Sequence, residues 1–281
     1  MDRKRVLVAS DIHLCHVDWY GMENAKRVRR FIEDVKKEYE KDPFEMLLLL
    51  GDYSLDHWVF DIGGSYLREG LSNTKNFVDD YLSEIKEMGI PVYMIPGNHE
   101  QYGHEDWEKF TGGKRETYAV LDDYLFILDD TYGNDIDPKE HSDGTYKPVN
   151  VERIKNLMNE YPDKKVFLCS HFYDPRLESD EFKEFCKNED RIIAMMCGHI
   201  HVSKVWDMTE HFGKMMLMTG NYSYSSEKPA EDSLWGYRDL ILTDESVESR
   251  YITVDADYII DGKELHRDYG YQDEFKLTLG E

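Results

Sequence analysis

Five apolar runs in this chain break off at the same kind of residue. Val6-Leu7-Val8-Ala9 stops at Ser10-Asp11-Ile12-His13, "FEMLLLLGD" at Gly51-Asp52, and "IPVYMIPGNHE" at Gly97-Asn98-His99-Glu100. "KKVFLCSH" ends in Ser170-His171 and "RIIAMMCGHIH" in Gly198-His199-Ile200-His201. Runs that are apolar throughout, rather than alternating, are strands buried on both faces, the condition of a parallel sheet covered by helices. The segments between them agree. Val28, Phe31, Ile32, Val35 and Tyr39 keep helical spacing over 24–40, and Phe77, Val78, Tyr81, Leu82, Ile85 and Met88 mark a second helix. In an open parallel sheet ligands bind beyond the carboxyl ends of the strands. Five strands would therefore deliver Asp, Asn and His side chains to one edge.

The remainder reads as a hairpin over 118–130 with an Asp-Asp turn, a polar loop over 131–149 and a helix over 150–161. Beyond position 202 the pattern is mostly β, with strands expected at 202–207, 214–219, 238–243 and 247–254. This predicts one domain over 1–255, with 256–281 as a polar C-terminal extension that packs on it or frays. Lys plus Arg number 34 against 58 Asp plus Glu, a net charge of −24. That balance argues against a nucleic-acid partner, because phosphate contacts need clustered Lys and Arg. No apolar stretch approaches the ~18 residues of a membrane helix, so no membrane partner is expected. The four cysteines, Cys15, Cys169, Cys186 and Cys197, form no CxxC pair. They read as reduced thiols of a cytoplasmic protein.

Spacing sharpens the picture of the strand ends. Asp11 and His13 are two residues apart, as are His199 and His201, so each pair would point the same way in extended backbone. Gly51, Gly97 and Gly198 stand immediately before the polar groups, where a tight turn or close approach is needed. Singly, each piece has a bland reading: Gly-Asp is a common turn, and a lone Ser-His is most often a satisfied buried histidine. The ordered set is another matter. DIH, GD, GNHE, SH and GHIH, spanning residues 11 to 201, resemble the signature of the calcineurin-like metallophosphoesterase superfamily.

The resemblance implies an α/β fold, a four-layer α/β/β/α sandwich of two mixed sheets flanked by helices. It implies that Asp11, His13 and His201 hold one metal ion, that Asn98, His171 and His199 hold another, and that Asp52 bridges the two. It makes His99 a catalytic histidine outside the ligand set. Imidazole, carboxylate and amide donors without thiolate suit two divalent metal ions, Mn²⁺, Fe²⁺ or Zn²⁺. Two such cations ~3.5–4 Å apart polarise phosphoryl oxygens and generate a hydroxide between them that attacks phosphorus in line, while His99 stabilises or protonates the departing oxygen. The cations also supply the local positive charge that an acidic chain needs for an anionic substrate. Cys15, Cys169 and Cys197 lie near ligands in sequence but read as ordinary buried thiols, not ligands.

Branch-specific features narrow the substrate. The arginine that follows Gly-Asp in the Ser/Thr protein phosphatases is missing from GDYSLDHW, and position 55 is Leu where purple acid phosphatases have tyrosine. No basic surface of a DNA-repair nuclease is visible. The expected activity is hydrolysis of a small phosphoester, nucleotide-like or other, by a phosphodiesterase. The alternatives are a phosphomonoesterase of the same family and, in a different class, a non-catalytic binding module that keeps the fold, as a retromer subunit of this superfamily does. His57, Trp58, Tyr66 and Arg68 fall in a loop expected over the site, and Asp56 is a candidate to orient His99. Tyr132, His141, Tyr146, Tyr222, Tyr224 and Trp235 are read as either a second wall of the site or loop anchors. Arg176 is either a phosphate contact or a solvated charge. The sequence bears no mark of an oligomeric state.

Overall fold

A computed structural model describes residues 2–56, 72–132, 144–224 and 234–279 of the chain. Its first half alternates strand and helix: β1 (Lys4–Ala9), α1 (Asn24–Lys41), β2 (Met46–Leu50), a helix over 73–87 (α2) and β3 (Val92–Ile95). A short helix, α3 (His104–Thr111), leads to the hairpin β4 (Thr117–Leu121) and β5 (Tyr124–Asp129). Then come α4 (Val151–Glu160), β6 (Lys165–Ser170), α5 (Asp180–Asn188), β7 (Ile192–Cys197), β8 (Val205–Met208) and β9 (Lys214–Met218). The chain closes with β10 (Gly236–Leu242), β11 (Ser246–Thr253), the hairpin β12 (Ala256–Ile260) and β13 (Lys263–Arg267), and β14 (Gly270–Thr278).

The long strands form two six-stranded sheets, in the orders β14-β11-β10-β1-β2-β3 and β4-β5-β6-β7-β9-β8. β1, β2 and β3 run parallel, as do β5, β6, β7 and β9, while antiparallel strands complete both sheets. Both mixed sheets are flanked by helices. Side-chain alternation explains why the strand sequences are apolar on every residue. Leu7, Ala9, Leu47 and Leu49 pack with Val28, Phe31, Ile32 and Val35 of α1. Val6, Val8, Leu48 and Leu50 turn the other way, onto Phe126, Leu128, Phe167 and Cys169 of the second sheet. The far face of that sheet, Leu125, Ile127, Val166 and Leu168, packs with α4 and α5. Buried on two faces, the central runs of β1, β2, β6 and β7 stay apolar until the strand ends.

Several elements differ from expectation. Short α3 and α5 fall inside stretches that carry too few turns for a periodic signal. α5 nevertheless starts at a cap visible in sequence, Ser179, whose hydroxyl accepts from the Phe182 N–H. In the middle of α2, Phe77–Leu82 is wound as a π-helix. The tail beyond 256 forms a hairpin and then β14, which pairs along β11. Among the described residues no helix is long and apolar enough to cross a membrane, and all four cysteines are buried and unpaired.

Candidate metal centre

The parallel strands β1, β2 and β3 stop at one level, and the chain turns over their ends through a ladder of main-chain bonds: Asp11 N–H to Gly51 O at 3.0 Å and Ile12 N–H to Asp52 O at 2.8 Å. β6 and β7 end beside them in the other sheet, where Gly198 N–H donates to His171 O at 2.9 Å. The glycine before a ligand is required by space: a Cβ on Gly97 would lie 2.1 Å from Asp52 Oδ1, and one on Gly198 2.5 Å from Asp11 Oδ2.

The local backbone corrects one expectation. Asp11 and His13 are not extended; their φ angles are +56° and +50°, and His199 and His201 lie at +69° and +60°. Asp52, at +58°, is left-handed too. Non-glycine residues held in this region cost on the order of 1–3 kcal/mol each, and such strain clusters at functional sites. The two-residue spacing of each pair therefore reflects left-handed backbone at both members, not strand alternation.

All eight predicted residues come together. His13 Nε2 and His201 Nε2 are 3.3 Å apart, and Asp11 Oδ1 is 3.1 Å from His201 Nε2 and 3.8 Å from His13 Nε2. In the neighbouring group, His171 Nε2 and His199 Nδ1 each lie 2.9 Å from Asn98 Oδ1. Asp52 stands between the groups, its Oδ2 3.2 Å from His171 Nε2, 3.7 Å from His13 Nε2 and 3.9 Å from His99 Nε2. Two sets of donors, Asp11/His13/His201 and Asp52/His171/His199, thus converge closely enough to share an ion each. His99 with His13 and Asp52 forms a third such set, so distance alone does not separate a ligand role for His99 from a proton-donor role.

The donor set fits cations on chemical grounds. His171 Nδ1 faces the carbonyl oxygen of Leu50 at 2.7 Å, and His201 Nδ1 faces that of Tyr224. A carbonyl only accepts, so both Nδ1 atoms carry the proton, and a neutral imidazole presents a bare Nε2 lone pair to the site. Those lone pairs meet carboxylate and amide oxygens, which are also acceptors. Without a cation only protons relieve the clash. Although burial opposes it, the charge and hydrogen bond of Asp52 push His171 up to about 9, and Asp11 raises His201 in the same way. Burial pushes the Asp52 carboxyl up, yet the charges of His171 and His99 hold it below the usual range. A divalent ion in each group satisfies the same lone pairs without protons.

A supporting residue escaped the sequence reading although it belongs to the GNHE run. Glu100, buried, accepts the main-chain N–H of Asp52 (2.7 Å), Tyr53 (2.8 Å), Ser54 (3.0 Å) and Gly97 (2.9 Å). It staples the β2 exit to the β3 exit and so sets Asp52 against Asn98. An acid directly after two donors at a strand end was the available signal. Asp11 is steadied by Ser10 Oγ and by the His199 N–H at 3.0 Å.

Other candidates settle differently. Asp56 does not serve His99; its Oδ2 accepts from the Tyr102 hydroxyl and from Asn73 N–H. Tyr222 and Trp235 are core residues, and Tyr146 donates to Glu178. Tyr132 and Tyr224 do reach the cradle, Tyr132 against His171 and His199 and Tyr224 against His201 at a centroid distance of 4.6 Å. Trp19, not anticipated, packs 5.1 Å from Tyr224. Arg176 is exposed and paired with Asp174. Cys169 and Cys197 are interior to their strands, and burial pushes both thiols up. His57, Trp58, Tyr66, Arg68 and His141 lie outside the described residues.

Two facing mixed sheets gather histidine and aspartate donors where their strands end, the layout of an α/β sandwich with a candidate metal centre. The chain belongs to the calcineurin-like phosphoesterase family, whose sequence pattern matches residues 4–203. It is similar to a probable glycerophosphodiester phosphodiesterase of Arcobacter nitrofigilis, 22% identical over 134 residues that make up 42% of this chain and 48% of that protein. It is also similar to a probable cyclic nucleotide phosphodiesterase of a Pseudoalteromonas species, 22% identical over 213 residues, 70% of this chain and 71% of the relative. The match thus spans about half the length of the first relative. Among solved structures, a dimetal phosphatase from Danio rerio superposes over 98% of both chains with a TM-score of 0.65 at 11% identity, a likeness of fold.

Proposed function

We propose that this chain hydrolyses small phosphodiesters with two divalent metal ions, Mn²⁺, Fe²⁺ or Zn²⁺, one held by Asp11, His13 and His201 and the other by Asn98, His171 and His199, with Asp52 common to both. The observation that carries the reading is the confrontation of lone pairs: imidazole nitrogens whose protons are committed to carbonyls face Asp11, Asp52 and Asn98 oxygens at 2.9–3.2 Å. Bound there, the ions supply Lewis-acid polarisation of the phosphoryl oxygens and a hydroxide nucleophile near neutral pH. The protein's part is to hold these donors in a buried cradle and to keep His99 beside Asp52 and His13. There His99 passes a proton to the departing alkoxide. The diester preference draws support from the two sequence relatives, both named for diesters. Buried unpaired thiols suit a reducing, cytoplasmic setting.

The test uses metal-free protein reloaded with Mn²⁺ and given bis-p-nitrophenyl phosphate and p-nitrophenyl phosphate. Turnover that requires the metal, is abolished by chelator and favours the diester is expected. Preference for the monoester would reassign the substrate class. Silence with Mn²⁺, Fe²⁺ and Zn²⁺ in folded protein would leave the binding module.

A further inference from the structure

Among the described residues four arginines are fully buried: Arg5, Arg27, Arg115 and Arg238. Three have a carboxylate beside the guanidinium, at Asp239, Asp130 and Asp273 respectively. Arg27 has none among the described residues. A buried charge is retained only where its hydrogen bonds compensate for lost water, so what Arg27 bonds shows what it is for. Every oxygen it reaches is a main-chain carbonyl in the cradle. Nη1 donates to Ile12 O at 2.6 Å and to Tyr222 O, and Nη2 donates to His13 O at 3.0 Å. One face of the guanidinium lies 5.1 Å from the Trp19 ring.

Those carbonyls belong to two separate segments, and each aims one imidazole. The first carries His13 itself, in its left-handed backbone. Asn24, one turn before Arg27 on α1, helps there by donating to the same His13 O at 3.1 Å. The second runs from Asn221 to Tyr224: Asn221 Nδ2 donates to His201 O at 3.1 Å, Tyr222 N–H to Asp11 O at 3.1 Å, and Tyr224 O takes the His201 Nδ1 proton. Arg27 is the cross-piece between them. The other donor group is held otherwise, His171 by Leu50 O and Asn98 through the Glu100 staple.

We infer that Arg27 is a positioning residue for one half of the centre: it locks the two main-chain segments that aim His13 and His201, and it leaves the Asn98–His171–His199 half untouched. The inference rests on the dinuclear reading proposed above. Lysine, with a point charge in place of a planar fork, cannot span both segments.

Cobalt(II) is the probe, titrated into metal-free full-length protein and followed by visible absorption, with far-UV circular dichroism as the check on folding. Wild-type protein is expected to take two equivalents per chain. Arg27→Met and Arg27→Lys are expected to take one equivalent with wild-type affinity and the second about ten- to hundredfold more weakly, the usual penalty for losing an outer support of a metal site. The spectrum at one equivalent should match that of His13→Ala, not that of His171→Ala. Two equivalents bound at wild-type affinity by both variants overturns the inference, as does equal weakening of both sites or failure of both variants to fold, since each makes Arg27 a general core residue. Wild-type protein that takes no cobalt brings down the dinuclear reading itself, an outcome recognisable before any variant is measured.

Discussion

His99 is anchored through its main chain. Its N–H donates to Asp52 Oδ1 at 3.1 Å, while its ring stands edge-on to His13 at a centroid distance of 5.3 Å. His171 and His201 are instead oriented through their rings by main-chain carbonyls, the arrangement expected of metal ligands. On the function proposed above, His99 is the proton donor of the set. His99→Ala should keep two metal equivalents and lose about 10²–10⁴ in kcat on alkyl diesters, the range of general acid–base catalysis. The loss should be much smaller on p-nitrophenyl esters, whose leaving group departs without a proton. Metal analysis by mass spectrometry and kcat on the two ester types check this. A variant that binds a single equivalent would instead make His99 a ligand of the His13–Asp52 set. Which residues gather in the cradle was legible in the sequence, because Asp, Asn and His stand together where several apolar strands end. Their left-handed backbone was not legible. Spacing by two residues is the same in a strand and in successive left-handed turns, and only the contacts of Asp11, Asp52 and Gly97 decide between them.

Among elements, the buried strands were the most legible and the C-terminal one the least. The central runs of β1, β2, β6 and β7 are apolar on every residue because each is packed on two faces, whereas β14 lies at an edge and shows only every second residue to the core. Phe275 and Leu277 pack toward the inter-sheet core, and the intervening Lys276 pairs with Glu248. Read without the sheet beside it, that alternation looks like a polar tail. The structure gives it weight: β14 supplies Asp273 to the buried Arg238, whose guanidinium also reaches Met218 O of the second sheet. Truncation after Arg267 should therefore remove about 2–4 kcal/mol of stability, from three partly buried apolar side chains, Phe275, Leu277 and Leu279, at about 1.5–3 kcal/mol for full burial of each, together with the Asp273–Arg238 pair. It should also promote aggregation through the uncovered β11 edge. Urea denaturation measures the first effect and light scattering the second. A loss under about 0.5 kcal/mol would mean that β14 is no part of the cooperative unit. α3 and α5, by contrast, were hidden by length, since nine residues or fewer carry too little periodicity to stand out.

For the whole molecule, charge sets the terms on which an anionic ester approaches. The chain carries −24, and two divalent cations offset only four of those charges, in a cradle whose wall is buried. The field a substrate meets at long range is therefore repulsive, while the field in the cradle is attractive. These two regimes respond differently to salt. The Debye length falls from about 30 Å at 0.01 M to about 8 Å at 0.15 M, which screens the distant surface but not contacts inside the site. Raising sodium chloride across that interval should increase kcat/KM for an anionic diester roughly two- to tenfold, the reverse of the salt dependence of a steered encounter. The effect should fall on kcat/KM alone, with kcat unchanged, because the bound ester is already inside the cradle. Steady-state kinetics at saturating metal checks both parts. A fall in kcat/KM with salt would mean that the cations' field extends beyond the cradle and governs the encounter despite the acidic surface.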